Sequence, residues 1–303
     1  MNTARDIHSR PQMILGFPDY DAPARRLAEA AGIDYACIAV HRFPDGESKL
    51  TLPTRLPEHL ALCRSLHDPN ARLVEIVLAA GGARDLGARR VDLVAPYLSY
   101  MRQDTAFHPG EVVSQQVMGR CLAQWLDGLL TVDAHLHRVH ELRQAVPVEQ
   151  AVNLHATGPM ADFLRQRFEA PMLIGPDAES EQWVADIARH DGWDFRVATK
   201  QRLGDREVRI HLPEGEYSGR DLVLVDDVAS TGKTLLGAAE QLVRMQPRSL
   251  SVLVTHALFV GDAEAELRAA GIDDIWSCDS VPHSTNAVHL DTLLARHLEE
   301  LAP

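Results

Sequence analysis

The stretch DLVLVDDVASTGKTLLGAAEQL, Asp221 to Leu242, restricts the fold more than any other in this chain. Leu222 to Val225 is a short, continuous apolar run, the composition of a strand buried on both faces of a parallel sheet. Leu235 to Leu242 repeats its apolar residues at helical spacing. A buried parallel strand feeding a helix is the unit of an α/β fold. Short Val/Leu/Ile runs alternate with longer amphipathic segments along all 303 residues, so the unit is expected to recur.

The loop between strand and helix carries chemistry. Ala229, Ser230, Thr231, Gly232 and Thr234 are small or bear hydroxyls. Such residues let backbone N–H groups approach an anion at a helix N-terminus, where the dipole favours negative charge. Gly232-Lys233-Thr234 invites a nucleoside triphosphatase reading, but that motif needs a glycine where Asp227 stands. A carboxylate there would be pushed against the phosphates. Asp226 and Asp227 are suited instead to accept hydrogen bonds from a vicinal diol, such as the 2- and 3-hydroxyls of a ribose. The segment reads as a ribose 5-phosphate grip. An ordinary strand–turn–helix with a capping Ser or Thr is the plain alternative, and paired acids with so many small residues exceed what capping needs.

A net charge of −13 argues against a nucleic-acid surface as the main business. Small anionic substrates remain compatible with it, because basic residues or bound metal reverse the field inside a cleft. Cys37, Cys63, Cys121 and Cys278 form no Cys-x-x-Cys pair, which argues against a zinc ribbon or a disulfide framework and predicts reduced, mostly buried thiols. There is no leading basic-then-apolar segment and no apolar run long enough to cross a bilayer, so no membrane partner and a cytoplasmic location are expected.

Along the chain, strands are predicted at MILGF, DYACIAV, RVDLVAPYL, LLTVDAH, PMLIGPD, SLSVLVTHALF and IDDIWSCDS. Helices are predicted around Ala24–Ala28, from Asn70 to Leu86, Val113 to Leu126, Met160 to Phe168, Glu181 to His190 and Ala263 to Ala270, and TKQRLGDREV reads as a loop. The two halves share a strand–acid–loop–helix grammar, which predicts two similar α/β domains, 1–148 and 149–303. Ligands are expected at the carboxyl ends of the strands.

Four further segments join the candidate site. In LVAPYLSYMRQDTAFHPGE a strand runs out into Arg102, Gln103 and Asp104, and a guanidinium fork suits phosphate oxygens. In TVDAHLHRVH a continuing strand would turn Asp133, His135 and His137 to one face. A hard ion shared with substrate phosphates needs only one or two protein ligands, so one histidine here and a distant carboxylate, with Asp177 of LIGPDAES as candidate, would suffice; His137 and His140 read as surface or packing residues. Lys200 and Arg202 make TKQRLGDREV basic within an acidic protein, as a cationic lid over a polyphosphate would be. In HRFPDGES the turn at Pro44–Gly46 would present Phe43 to stack on a base, with Asp45 and Glu47 as acceptors.

In this order FPDGE, YMRQD, HPGEVVSQ, TVDAH, GPDA, TKQR, VDDVASTGKT and SVPHSTNAV resemble the ribose-phosphate pyrophosphokinases, over nearly the whole chain. The resemblance implies two phosphoribosyltransferase-like domains with mainly parallel sheets flanked by helices, an ATP side in the first and a ribose 5-phosphate side in the second. It implies transfer of the β,γ-diphosphate of ATP to the 1-hydroxyl of ribose 5-phosphate, with Mg2+, by a homo-oligomer, dimer or hexamer. By the same resemblance Phe43, Asp45 and Glu47 would meet the adenine of a neighbouring subunit, and Arg102, Gln103 and Asp104 would line the ATP site. His135 and Asp177 would hold magnesium or its waters, and Lys200 and Arg202 would close over the transferring phosphates. Asp226 and Asp227 would take the ribose hydroxyls, and Ser230, Thr231, Gly232, Lys233 and Thr234 the 5-phosphate. Two departures stand out: Glu179 and Ser180 replace the glycines common after the Asp177 equivalent, and Thr105 replaces a residue often basic. They raise the alternative of a catalytically silent regulatory homologue; a phosphoribosyltransferase, consuming the diphosphate product with a base, would leave FPDGE and TVDAH without a task.

Overall fold

A computed structural model describes residues 10–302 apart from 137, 140 and 203–207, with the backbone alone at 200–202, 208 and 209. The described residues form two compact units. One runs to Leu154 and takes back the chain from Leu290, and the other is His155–His289.

Each unit is built on a six-stranded parallel sheet. In the first, β1 (Met13–Gly16), β2 (Asp34–Cys37), β5 (His59–Cys63), β6 (Arg90–Ala95), β7 (Gly128–Val132) and β8 (Gln150–Leu154) lie in the order β2-β1-β5-β6-β7-β8. In the second, β9 (Met172–Gly175), β10 (Phe195–Val197), β13 (Asp221–Ala229), β14 (Ser249–Ala257), β15 (Asp274–Cys278) and β16 (Asn286–Val288) lie in the order β10-β9-β13-β14-β15-β16. A two-stranded antiparallel hairpin is inserted at the same step of both, between the edge strand and the third: β3 (Ala39–Arg42) with β4 (Ser48–Thr51), and β11 (Thr199–Arg202) with β12 (Val208–His211). The doubling predicted from the sequence is thus a doubling of topology.

The helices are α1 (Asp21–Ala31), α2 (Pro69–Asp85), α3 (Ser114–Leu122), α4 (Leu142–Ala145), α5 (Thr157–Arg165), α6 (Glu181–Asp191), α7 (Lys233–Arg244), α8 (Ala263–Ala269) and α9 (Asp291–Arg296). Their apolar faces cover the sheets. Leu73, Ile76, Ala79, Ala80 and Ala83 of α2 join the core of the first unit, and Leu235, Ala238, Ala239 and Leu242 of α7 that of the second. In α1 the predicted face of Ala24, Leu27 and Ala28 is buried. Left-handed Gly32 ends α1 by returning its N–H to the carbonyls of Ala28 and Glu29, satisfying orphan acceptors of the last turn.

Several elements differ from expectation. DYACIAV is two strands, because Ile38 donates the last ladder bond to Gly16 and buries its side chain, and the chain then leaves the sheet for the hairpin. The helix expected over Val113–Leu126 spans Ser114–Leu122, and its end loosens into tighter bonds such as Trp125 N–H to the Leu122 carbonyl. In TKQRLGDREV, expected as a loop, Thr199–Arg202 is strand β11 paired with β12 (203–207 lie outside the described residues); Ile210 of β12 buries itself. HLALC, with no predicted element, is the wholly buried strand β5. Among the cysteines Cys63 and Cys278 are buried, Cys121 is half-buried and Cys37 is exposed.

Candidate active site

The acid pair stands inside the ladder rather than beyond it. Pairing of β13 with β14 continues through Asp226↔Val254 and Val228↔His256 to Ala229↔Ala257. Asp227 is 5% exposed, and its N–H donates to Asp226 Oδ1 at 3.0 Å. Only Ser230, Thr231 and Gly232 separate strand from helix, so Lys233 and Thr234 lie in the first turn of α7. Gly232 is left-handed at φ 67°, and a Cβ there would stand 3.3 Å from Ala263 Cβ. Only glycine meets both demands without strain.

A neighbouring strap aims the loop. Leu258 and Phe259 donate their N–H groups to the Ala229 carbonyl at 3.0 and 2.9 Å, and Val260 donates to the Ser230 carbonyl at 2.9 Å. In a trans peptide the N–H points opposite to the carbonyl, so the amides of Ser230 and Thr231 face away from the strap. The hollow formed by the loop holds about 140 Å³ and is lined by Asp226 and by Val228 through Leu235. Amides, hydroxyls, Lys233 and a helix N-terminus in one hollow make an anion site.

A third carboxylate stands near the pair. Asp177 follows β9, and its side chain accepts the N–H of Glu179 at 3.1 Å. The Ser180 hydroxyl donates to the Asp177 carbonyl at 2.6 Å, and buried Ser180 fills the space beside Gly175. Glu179 lies exposed on this turn. Burial, then the charge of Asp227, then that of Asp177 push the Asp226 carboxyl well above its usual range. Accumulated negative charge of this kind suits a hard cation or a set of hydroxyl donors.

Lys200 and Arg202 lie on β11; their side chains are outside the described residues, as is the 203–207 connection. Lys200 pairs with Ile210 of β12. Ile210 in turn leans on α7 beside Gly237, and its carbonyl accepts from the Gln241 amide. The basic hairpin is therefore packed against the helix that carries the phosphate hollow.

The other candidates belong to the first unit. Phe43, Asp45 and Glu47 form the tip of β3–β4, all exposed, with Phe43 at 41%. Arg102 is exposed in the loop after β6, and the Gln103 amide donates to the Thr105 carbonyl at 2.8 Å. Asp104, whose side chain is 2% exposed, pairs with Arg138 at 2.7 Å. Gln115, which sequence reasoning did not single out, holds this loop: its amide donates to the Met101 carbonyl at 3.1 Å and its N–H to that of Gln103 at 3.2 Å. The strand β7 stops at Val132, and Asp133 is buried in the left-handed region at φ 41°. The alternation expected to align Asp133, His135 and His137 is thus broken. His135 is half-buried beyond that turn, and His137 and His140 lie outside the described residues.

A family model described as the N-terminal domain of ribose phosphate pyrophosphokinase matches residues 13–125, and a phosphoribosyl transferase domain model matches residues 149–293. The ribose-phosphate pyrophosphokinase of Methanopyrus kandleri is 35% identical over 282 residues, covering 92% of this chain and 95% of that protein. The chain belongs to the ribose-phosphate pyrophosphokinase family. Ribose-phosphate pyrophosphokinase 2 of Archaeoglobus fulgidus is 30% identical over 285 residues, covering 94% of this chain and 99% of that one. The fold is that of phosphoribosylpyrophosphate synthetase from Mycobacterium smegmatis, with a TM-score of 0.80, 18% identity, and coverage of 95% and 97% of the two chains. The chain is accordingly an enzyme of the ribose-phosphate pyrophosphokinase class.

Proposed function

We propose that this enzyme transfers the β,γ-diphosphate of ATP to the 1-hydroxyl of ribose 5-phosphate, giving phosphoribosyl pyrophosphate and AMP, in the cytoplasm and in the service of nucleotide biosynthesis. The observation that carries the reading is the acid pair within β13, with Asp226 lining the hollow at the start of α7. Its dimensions suit one sugar phosphate: Asp226 and Asp227 take the 2- and 3-hydroxyls, and Ser230–Thr234 the 5-phosphate.

In the reaction the ribose 1-oxygen bonds to the β-phosphorus, the bond from that phosphorus to the bridging oxygen of AMP breaks, and the hydroxyl proton leaves. There is little covalent work for the protein in such a transfer, so positioning and charge stabilisation dominate. The acid pair fixes the sugar and hence the line of attack. Lys200 and Arg202, on the hairpin that leans on α7, would close over the diphosphate and stabilise AMP as it departs. Arg102, Gln103 and Asp104 serve ATP in the first unit, and the second unit is the sugar side. The charge gathered by Asp226, Asp227 and Asp177 fits Mg2+, with Asp177 as the second unit's ligand to it or its waters and His135 as the first unit's candidate ligand; when bound, it would neutralise phosphate charge.

The outer face of α2 supports a homo-oligomer, dimer or hexamer. The helix is apolar nearly all round, with Val74 58% and Leu78 45% exposed, and a helix of that kind ordinarily has both faces covered.

Incubation with ATP, Mg2+ and ribose 5-phosphate, followed by chromatography and mass spectrometry, tests the reading. Equal yields of AMP and phosphoribosyl pyrophosphate are expected. No product, with ligand binding intact, would favour the silent regulatory homologue, for which Glu179 and the Ser180 side chain beside Gly175 are the specific grounds.

A further inference from the structure

The two domains treat the corresponding strand end in opposite ways. β1 (MILG) and β9 (MLIG) each end on glycine, and each pairs with the third strand of its unit. Gly16 lies level with Cys63 on β5. On β13, Ile174 lies level with Leu224, which puts Val225 level with Gly175. One residue further along are Arg64 and Asp226. The first domain therefore has a cation where the second has its sugar-binding acid.

Arg64 is buried and already engaged. Its Nε and Nη2 donate to Asp19 at 2.9 and 3.0 Å, and its Nη1 pairs with Glu75 Oε2 at 2.6 Å. The guanidinium lies 4.4 Å from the centre of the Phe17 ring. Arg72 adds a second bond to Asp19 at 2.7 Å. This strand end is closed by its own ion pairs.

The closed end holds something else. Glu75 on α2 has a side chain 0% exposed. With one oxygen on Arg64, its other accepts from the Ser48 hydroxyl at 2.7 Å and from Arg42 Nε at 3.3 Å. Arg42 and Ser48 are register partners, the last ladder pair of the β3–β4 hairpin, immediately before Phe43 and after Glu47. Within the tip, Phe43 N–H donates to the Glu47 carbonyl at 2.8 Å and Gly46 N–H to the Phe43 carbonyl at 3.0 Å. Burial alone would raise the Glu75 carboxyl, but the Ser48 hydroxyl and the guanidiniums of Arg64 and Arg42 outweigh it and hold it below its usual range. Both strands, at the pair that closes the tip, thus end on one buried, ionised carboxylate.

We infer that Glu75 is a positioning residue, clamping the last ladder pair, Arg42 and Ser48, so that the exposed tip of Phe43, Asp45 and Glu47 is preorganised for adenine. The inference rests on the proposed use of that tip. Its physical content is entropic: a tip ordered before binding does not lose its freedom on binding. Glu75 itself, buried beneath the hairpin, need not touch the nucleotide.

The test uses three full-length variants: Ser48→Ala with Arg42→Leu, which unlatches the hairpin from its exposed side; Glu75→Gln; and Arg42→Lys as the conservative control. Hydrogen–deuterium exchange reads the tip amides of Phe43 and Gly46, steady-state kinetics read KM for ATP and for ribose 5-phosphate, and calorimetry reads AMP binding. The expected result for the first two is faster tip exchange, a rise in KM for ATP and a weakening of AMP of about tenfold, the scale of one hydrogen bond to a charged group. KM for ribose 5-phosphate should stay within about twofold of wild type, and Arg42→Lys should recover most of the loss, because the sugar site is in the other domain and lysine keeps the charge. Unchanged tip exchange, or equal rises in both KM values, overturns the inference. Absence of turnover in the wild type would instead overturn the proposed reaction, and exchange with AMP binding would still decide the clamp.

Discussion

Replacing Asp226 with asparagine removes one of three neighbouring carboxylates while keeping its size. Burial, Asp227 and Asp177 raise the Asp226 carboxyl well above its usual 3.8. With the folded-state value above the unfolded one, the native protein binds more protons through that window, and stability falls as pH rises across it. The penalty is absent below about pH 4 and complete above the raised value. Two unit charges about 5 Å apart repel by about 3 kcal/mol at an effective dielectric of 20. Residual solvent access at this strand end reduces that, so Asp226→Asn should stabilise the ligand-free protein at pH 8 by about 1–2 kcal/mol, or roughly 3–8 °C. The gain should shrink as pH is lowered toward 5, and saturating Mg2+ should narrow it by stabilising the wild type more. On the proposed reading, in which Asp226 accepts from the sugar hydroxyls, the same substitution should weaken ribose 5-phosphate by roughly 10–100-fold. Thermal scans at pH 5 and 8 with and without Mg2+, and calorimetry with the sugar phosphate, read all of this. An Asp226→Asn protein no more stable than wild type at pH 8 would refute the account of crowded charge.

Other substitutions probe other parts of the site. Lys200→Ala should lower kcat by orders of magnitude and leave the melting temperature unchanged, as removal of a cation needed only in the transition state does; comparable turnover would take Lys200 out of the mechanism. Gly175→Ala places a Cβ 2.5 Å from Ser180 Oγ and 3.3 Å from Val184 Cγ2, so Ser180 must give up its bond to the Asp177 carbonyl. A loss of about 1–3 kcal/mol in urea denaturation and a raised requirement for Mg2+ are expected, and a wild-type Mg2+ dependence would detach the turn from the metal. Leu78→Glu on the exposed face of α2 should lower the particle mass in light scattering while the circular dichroism stays native; an unchanged mass would free that face of any role in assembly.

The local grammar of the chain was legible without coordinates. Apolar runs of four to six residues followed by helical periodicity announced most of the parallel strands and their helices, because burial on both faces demands such runs. The acid pair and the small residues of Ser230–Gly232 announced the strand, hollow and helix start, since adjacent residues carry all its parts, and the ordered motifs announced the family. Less legible was HLALC, too short for periodicity to separate strand from helix, and the β11–β12 hairpin, whose charges obscured the buried Ile210. Registry between distant strands had no signature in the sequence at all. Only folding sets Arg64 at the position of Asp226, brings Glu75 beneath Arg42 and Ser48, and lets the strap at Leu258–Val260 turn the loop amides toward the hollow. Residue types and short spacings determine which local structures and which chemistry a chain can offer. Which of those groups face one another depends on long-range pairing and shared burial, and these exist only in the assembled fold.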